Sequence, residues 1–411
     1  MQGATRHASV DERVEERPPA SRRLPVVVYV LALGTFLMGT TEFVVAGLLP
    51  EIAGDLQVSV ARAGLAITAF AVGMIIGAPL MSMLTLRLPA RWTLVLALGV
   101  FAAGHVIAAV GDGFGLLLAA RFLTALATGA FWAVANLVAT RAAGPAASSR
   151  AVGVVGSGAM FANVVGVPLG AFAGQLVGWR GPFWILAVLA VAAMALIARL
   201  VPHESRGGQT VSIRSELSAL RSGRLWLVLA ACVTTSAGVL GTYTYIAPLL
   251  TDRAGIAAGL VPLVLVGFGA GALAGFLVGG RAGDVRPYAT TITAAASAAV
   301  VLLALGLLSA FAVPMVVLVV LLGLVGFLSI PVLIGLGVRF AGKAPTLGSA
   351  LTVSAFNFGT AAGSWIAGLT LDSPFQAAGP AMVGAAMAAL ALVPTITIAL
   401  IQGRRSGPAL G

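Results

Sequence analysis

Leu24-Pro-Val-Val-Val-Tyr-Val-Leu-Ala-Leu-Gly-Thr-Phe-Leu-Met38-Gly-Thr-Thr-Glu42-Phe-Val-Val-Ala-Gly47-Leu-Leu-Pro50 runs for more than twenty residues with one charge in it. As a helix rising about 1.5 Å per residue, such a run crosses the roughly 30 Å of hydrocarbon in a bilayer. Eleven further runs follow, at about 61–86, 92–110, 114–140, 149–173, 180–201, 225–250, 257–280, 288–309, 313–338, 346–370 and 378–401. Together with the first, over 25–49, they predict an all-α polytopic membrane protein.

Composition agrees. Of 411 residues, 59% are apolar and 9% charged, against about 25% charged in a soluble domain. A water-soluble chain of this length has too little interior to hide so much apolar surface. The 24 Lys and Arg against 13 Asp and Glu leave a net charge of +11. The basic residues are scattered between apolar runs and form no solvated patch of the kind nucleic acid requires. One cysteine, Cys232, excludes an intrachain disulfide and a cysteine-cluster metal site.

Only 202–224 is a long connection, so the twelve spans divide into six and six. The expected organisation is a disordered cytoplasmic tail (1–24), a six-helix bundle (25–201), a cytoplasmic linker (202–224), a second six-helix bundle (225–402) and a short cytoplasmic tail (403–411). With the N-terminus inside, 20 of the 24 basic residues fall in cytoplasmic segments. Arg62, Arg180 and Arg253 fall outside, and Arg121 lies within a span, as the positive-inside bias predicts. The halves resemble each other weakly: an offset of 194 residues superposes Asn163 on Asn357, Ala173 on Ala367 and Gly174 on Gly368. Parallel six-helix repeats of this kind build one transporter architecture, with its substrate site between the halves.

Among the 13 acidic residues, Glu42 alone lies inside a span. A carboxylate there costs several kcal/mol unless protonated, paired or in a wet cavity, which makes it a functional candidate; a tilted or shortened first helix with Glu42 at the headgroups is the structural alternative. Arg121, in the fourth span, sits at a similar depth, about 10 Å from the outer boundary. An ion pair with Glu42, direct or through water, is geometrically possible, and binding of backbone carbonyls is the alternative. His105, near the outer end of the third span, is expected to be an interfacial histidine rather than a proton relay. Trp132, Asn136, Asn163, Tyr243, Tyr245, Asn357 and Trp365 are candidates to line a substrate cavity with aromatic faces and amide donors, or to serve in packing. No phosphate loop, zinc signature or nucleophile–base arrangement is present, so ATP is not the expected energy source.

Several stretches carry a family resemblance. Gly280-Arg-Ala-Gly-Asp284-Val-Arg286 resembles the cytoplasmic gating motif of the major facilitator superfamily. The first-half copy, Ser82-Met-Leu-Thr-Leu86-Arg87-Leu-Pro-Ala-Arg91, keeps both arginines but lacks the usual glycine and aspartate. Arg121-Phe-Leu with Gly129-Ala-Phe-Trp132 resembles the fourth-helix motif linked to proton transfer, with Ala125 in place of a usual glycine. Gly166-Val-Pro168-Leu-Gly170 resembles the antiporter motif of the fifth helix, and Trp179-Arg180 fits the start of the sixth. Gly39-Thr-Thr-Glu42-Phe and Ser354-Ala-Phe-Asn357 resemble a branch containing bacterial phenicol exporters and arabinose or purine-ribonucleoside efflux proteins.

The resemblance implies twelve transmembrane helices in two pseudo-symmetric six-helix bundles. It implies drug:proton antiport of a chloramphenicol-type molecule across the bacterial cell membrane, with both termini cytoplasmic, or export of a sugar or nucleoside by the same fold. Glu42 and Arg121 would couple protons, while Arg87, Arg91, Gly166, Pro168, Gly170, Gly280, Asp284 and Arg286 would gate. The proton-motive force would replace any cofactor. The partners implied are a small drug, protons and lipid, with no nucleic acid, for a monomeric protein that is not an enzyme.

Overall fold

The computed structural model describes residues 24–84, 88–144, 148–201, 221–342 and 345–406. Residues 1–23 and 407–411 of the predicted tails, most of the linker and Arg87 lie outside the described residues.

In lipid every backbone N–H and C=O must be paired internally, and runs of Ala, Leu, Val and Gly meet that demand as helices. The first half comprises α1 (Val26–Val44, tightening to a 3₁₀ turn over Val45–Gly47), the short α2 (Leu49–Asp55), α3 (Val60–Leu84), α4 (Ala90–Val110) and α5 (Phe114–Ala143). A π turn, Ala162–Gly166, joins α6 (Ser148–Phe161) to α7 (Val167–Val177), and α8 (Arg180–Leu200) follows. The second half comprises α9 (Gly223–Thr244), α10 (Val261–Val285), α11 (Pro287–Leu307), α12 (Ala312–Leu328), α13 (Ile330–Phe340), α14 (Pro345–Leu369), α15 (Gly379–Leu390) and α16 (Leu392–Ser406). With the short α2 set aside, and α6–α7, α12–α13 and α15–α16 each counted as one bent rod, the described residues form twelve rods, six in each half.

Eleven rods are long and apolar enough to cross a membrane. The remaining one, α14, equals α3 in length but buries Thr352, Asn357, Thr360 and Ser364, polar groups turned toward protein rather than lipid. Three predicted spans are interrupted, each close to a proline, which cannot donate to the preceding turn. The seventh stops at Thr244, ahead of Pro248; the tenth breaks at Ser329, ahead of Pro331; the twelfth breaks at Ala391, ahead of Pro394. The π turn in the fifth rod likewise precedes Pro168.

The apolar core shows how the halves meet. One cluster crosses both halves at the end where α1 finishes: Val44, Leu48 and Phe183 from the first, Tyr243, Ile246, Leu265 and Phe327 from the second. Toward the termini the cores separate, with Leu31, Leu98 and Phe131 in one half and Leu229, Leu333 and Ile398 in the other. The molecule is therefore sealed at the end opposite its termini. Two seams join the halves. At the first, α3 lies along α14, with Thr68 Oγ1 and Ser364 Oγ 2.8 Å apart and Ser354 Oγ donating to the Ile75 carbonyl at 3.3 Å. At the second, α10 crosses the fifth rod where Gly269 abuts the Asn163 carbonyl, and Gln175 Nε2 donates to the Ala258 carbonyl at 2.7 Å.

Within the second half, Gly271, Gly275 and Gly279 form a row on α10, spaced four apart, that faces the Val320, Leu324 and Leu328 carbonyls of α12. Small residues at this spacing let membrane helices approach closely. A Cβ at Gly275 would fall on the Leu324 carbonyl, whereas one at Gly280 meets nothing within 4 Å. Thermal unfolding in detergent should separate them. Gly275→Ala should lose about 1–3 kcal/mol through overpacking, and Gly280→Ala should be neutral or gain up to about 1 kcal/mol of helix propensity.

Candidate functional site

Glu42 occupies the last turn of α1, where the helix dipole disfavours a carboxylate. Its side chain reaches a cavity between the halves, lined also by Phe43, Phe70, Tyr243, Asn357 and Thr360. The free space there fits about one water molecule. Among the described residues the Glu42 carboxylate makes no hydrogen bond and no ion pair. It thus faces the cavity shared by the two halves without a partner.

Arg121 is 1% exposed and does not form a direct pair with Glu42. Its Nη1 donates to the carbonyl of Thr41 at 2.8 Å and to Thr41 Oγ1 at 2.9 Å, and its Nε donates to the Ala66 carbonyl at 3.3 Å. The guanidinium carbon lies 4.4 Å from the centre of the Phe70 ring, while Nη2 has no partner. The accepting carbonyl belongs to the peptide bond that joins Thr41 to Glu42. It lies in the last turn of α1, just ahead of the 3₁₀ turn over Val45–Gly47. Arg121 thus places its charge on the backbone that carries Glu42, beside the cavity.

His105 departs from expectation. It is fully buried, because its face of α4 turns into the first bundle rather than toward the headgroups. Its Nε2 lies 2.8 Å from Thr41 Oγ1 and its Nδ1 2.8 Å from the Phe101 carbonyl. The ring packs on Phe101, centroids 4.1 Å apart, and near Phe183 at 5.8 Å. Sequence reasoning passed over Thr41 altogether; the adjacent threonines Thr40 and Thr41 before Glu42 were the available signal.

The other candidates divide. Tyr243 lines the cavity, stacked on Phe268 at 4.2 Å with Phe43 edge-on at 6.2 Å, and Asn357 lines it with Thr360 on the same side of α14. Tyr245 does not line it; its hydroxyl donates to the Ser364 carbonyl at 3.1 Å, in a slot between Gly64 and Gly368. Trp365 is 56% exposed, one residue past Ser364 and so about 100° around the helix from the buried side of α14. Trp132 packs into the separate core of the first half, and neither its Nε1 nor Asn136 Oδ1 has a partner. Asn163 is buried at the α10 seam, its Nδ2 donating to the Ala159 carbonyl at 3.2 Å.

Of the expected gating residues, Gly166 and Gly170 face Thr40 and Val44 of α1, and Pro168 opens α7 after the π turn. Gly166 and Gly170 thus lie in close contact with α1. Arg91 lies 6.0 Å from the Trp92 ring centre, and Asp284 and Arg286 are exposed at the end of α10.

Residues 31–364 match the Major Facilitator Superfamily, and the chain belongs to it: a multi-pass membrane transporter. It is 36% identical to a chloramphenicol resistance protein of Streptomyces lividans over 90% of this chain and 95% of that one. It is 31% identical to the inner membrane transport protein YdhP of Escherichia coli K12, over 88% and 93%. A bacterial homologue of the human lysosomal transporter Spinster, solved inward-facing and unoccupied, shares the fold at a TM-score of 0.72 and 16% identity, over 92% and 96% of the chains.

At the sealed end, Trp179 Nε1 donates to Asp55 Oδ2 at 3.0 Å, Arg180 pairs with the same oxygen, and Arg180 Nη2 donates to the Gly111 carbonyl at 3.1 Å. The hydrogen bonds from Arg180 and Trp179 hold the Asp55 carboxyl below the usual carboxylate range. Its stabilising share is therefore complete above about pH 4 and is lost as acid passes the lowered value. Asp55→Asn should lower the thermal midpoint near neutral pH, and its difference from the parent protein should shrink below about pH 3.

Proposed function

We propose that this transporter exports a small, neutral, amphipathic drug of the chloramphenicol type in exchange for protons. The observation that carries the proposal is the unpartnered carboxylate of Glu42, the sole acid within a span, at the cavity shared by both halves. Bundles over 25–201 and 225–402 rock about that cavity, which faces the two sides of the membrane in turn. Glu42 takes a proton from outside and gives it up inside, and Arg121, fixed one peptide bond away, favours the deprotonated carboxylate when the proton leaves.

A neutral drug needs no counter-ion. Stacked Tyr243 and Phe268 offer an aromatic face, and Asn357 and Thr360 offer polar groups. Likeness to the Streptomyces resistance protein over nine-tenths of the chain supports this substrate class. The distribution of basic residues supports an orientation in the bacterial cytoplasmic membrane with both termini inside, so the sealed end faces outward. Membrane potential supplies about 2.3 kcal/mol per 100 mV for each charge moved, enough for roughly a fifty-fold gradient at one proton per neutral drug. Neither ATP nor a cofactor enters this cycle, and each monomer completes it alone.

Everted vesicles energised to an acidic, positive interior test this directly. Labelled chloramphenicol should accumulate, a protonophore should abolish accumulation, and Glu42→Gln should remove concentrative uptake while leaving drug binding within about threefold. Proton efflux triggered by arabinose or inosine instead would move the substrate class to sugars or nucleosides. Flux indifferent to the proton gradient would point to a channel, and full gradient-driven uptake by Glu42→Gln would sink the assignment of Glu42.

A further inference from the structure

Thr41 has no role assigned to it within the Gly39–Phe43 motif and His105 belongs to no motif, yet both are fully buried next to Arg121 and Glu42. Donor and acceptor accounting fixes the direction of every hydrogen bond between them. The Phe101 carbonyl only accepts, so His105 Nδ1 donates to it. In the neutral ring this leaves Nε2 with a lone pair, which accepts the Thr41 hydroxyl proton. A guanidinium only donates, so Thr41 Oγ1 accepts from Arg121 Nη1 on its remaining side. Each polar atom in the row is used, and the Thr41 hydroxyl serves once as donor and once as acceptor. A second proton on His105 would place N–H against O–H at Thr41 and a second cation next to Arg121.

We infer that Thr41 and His105 are positioning residues for proton coupling: His105 orients the Thr41 hydroxyl, and the oriented hydroxyl with the Thr41 carbonyl clamps the Arg121 guanidinium beside Glu42. This rests on the assignment of Glu42 as the proton carrier. The clamp uses Nη1 twice, and Ala66 uses Nε, so the unpartnered Nη2 is the N–H left for the deprotonated carboxylate. Among the described residues, no other charged side chain lines this shell around Glu42. The facing residues are Ala66 and Phe70 from α3, Tyr243 from α9, and Asn357 and Thr360 from α14, with Arg121 from α5 and His105 from α4 behind Thr41. Loosening the clamp weakens the cation that favours the carboxylate, so Glu42 holds its proton to higher pH.

The test is the pH profile of drug-driven proton exchange by the full-length protein in proteoliposomes, with chloramphenicol as the probe. Thr41→Val keeps the shape of the side chain and removes the hydroxyl; His105→Phe keeps the ring stack and removes both nitrogens. Each should move the midpoint up by about one pH unit, the size of one hydrogen bond to a charged group, with drug KM within about twofold. The double variant should move it no further than either single change, since both break one row. Thr41→Ser, which keeps the hydroxyl, should restore the parent profile. An unchanged midpoint in Thr41→Val, a shift to lower pH, or additive shifts in the double variant would overturn the inference. Thr41→Val carries the test alone should His105→Phe fail to reach the membrane. Glu42→Gln in the same liposomes keeps the two assignments apart. Persistent coupling there removes Glu42 itself, whereas lost coupling beside a parent-like Thr41→Val profile removes only the clamp.

Discussion

The guanidinium of Arg121 sits where a lipid-embedded bundle would otherwise hold hydrocarbon, and the first half of the protein is arranged around its needs. A buried cation is tolerable only with acceptors on its N–H groups. Two of those acceptors are main-chain carbonyls, one on α1 and one on α3, and the third is a hydroxyl that α4 orients through His105. Four helices are thereby tied to one side chain. The Thr41 carbonyl belongs to the peptide bond that leads to Glu42, so the anchoring of Arg121 and the placement of Glu42 are one arrangement.

The two halves are held together by different means from those that hold each half. Inside the second half, the glycine row on α10 brings two backbones into direct contact with α12, a tight fit that resists sliding. Between the halves, the described residues form few polar links: a threonine–serine pair, a serine and a tyrosine each on a carbonyl, a glutamine on a loop carbonyl. The largest apolar cluster bridges the halves at the end away from the termini, and a small one joins Phe70 and Met74 to Val353 further along the first seam. Units that are rigid within and lightly joined between can move as bodies, because a packed interior has few alternative arrangements while a seam of small contacts has several.

Much of this was legible in the sequence, and the parts that were not share a physical reason. Each apolar run became a helix within a few residues of its expected ends, since length and hydropathy alone decide what spans lipid. The breaks at Tyr245, Ser329 and Ala391 lie beside prolines that the overall hydropathy of a run smooths over. Glu42 stood out because no other acid shares a span with it. His105 and Trp365 were misplaced because sequence distance from a helix end gives depth in the membrane but not the side of the helix. A rotation of 100° per residue decides between core, cavity and lipid, and only packed neighbours settle it. The partners of Arg121 were beyond sequence for a sharper reason: they are mostly backbone carbonyls, which every residue has.

The pseudo-symmetry of the halves makes their differences informative. The 194-residue offset equates Asn163 with Asn357, yet Asn357 lines the cavity while Asn163 is locked into the α10 seam by the π turn around it. The equivalent position has become a cavity side chain in one half and a backbone contact in the other. Charge is divided just as unevenly: Glu42, Arg121 and His105 all lie in the first half, while Tyr243, Phe268 and Asn357 give the second half a neutral, aromatic wall. The two chemistries meet where Phe43, the residue after Glu42, sets its ring edge-on to Tyr243. Glu42 and Phe43 belong to the same last turn of α1, so the carboxylate and the aromatic wall are neighbours through one turn of helix, with no longer chain of contacts between them.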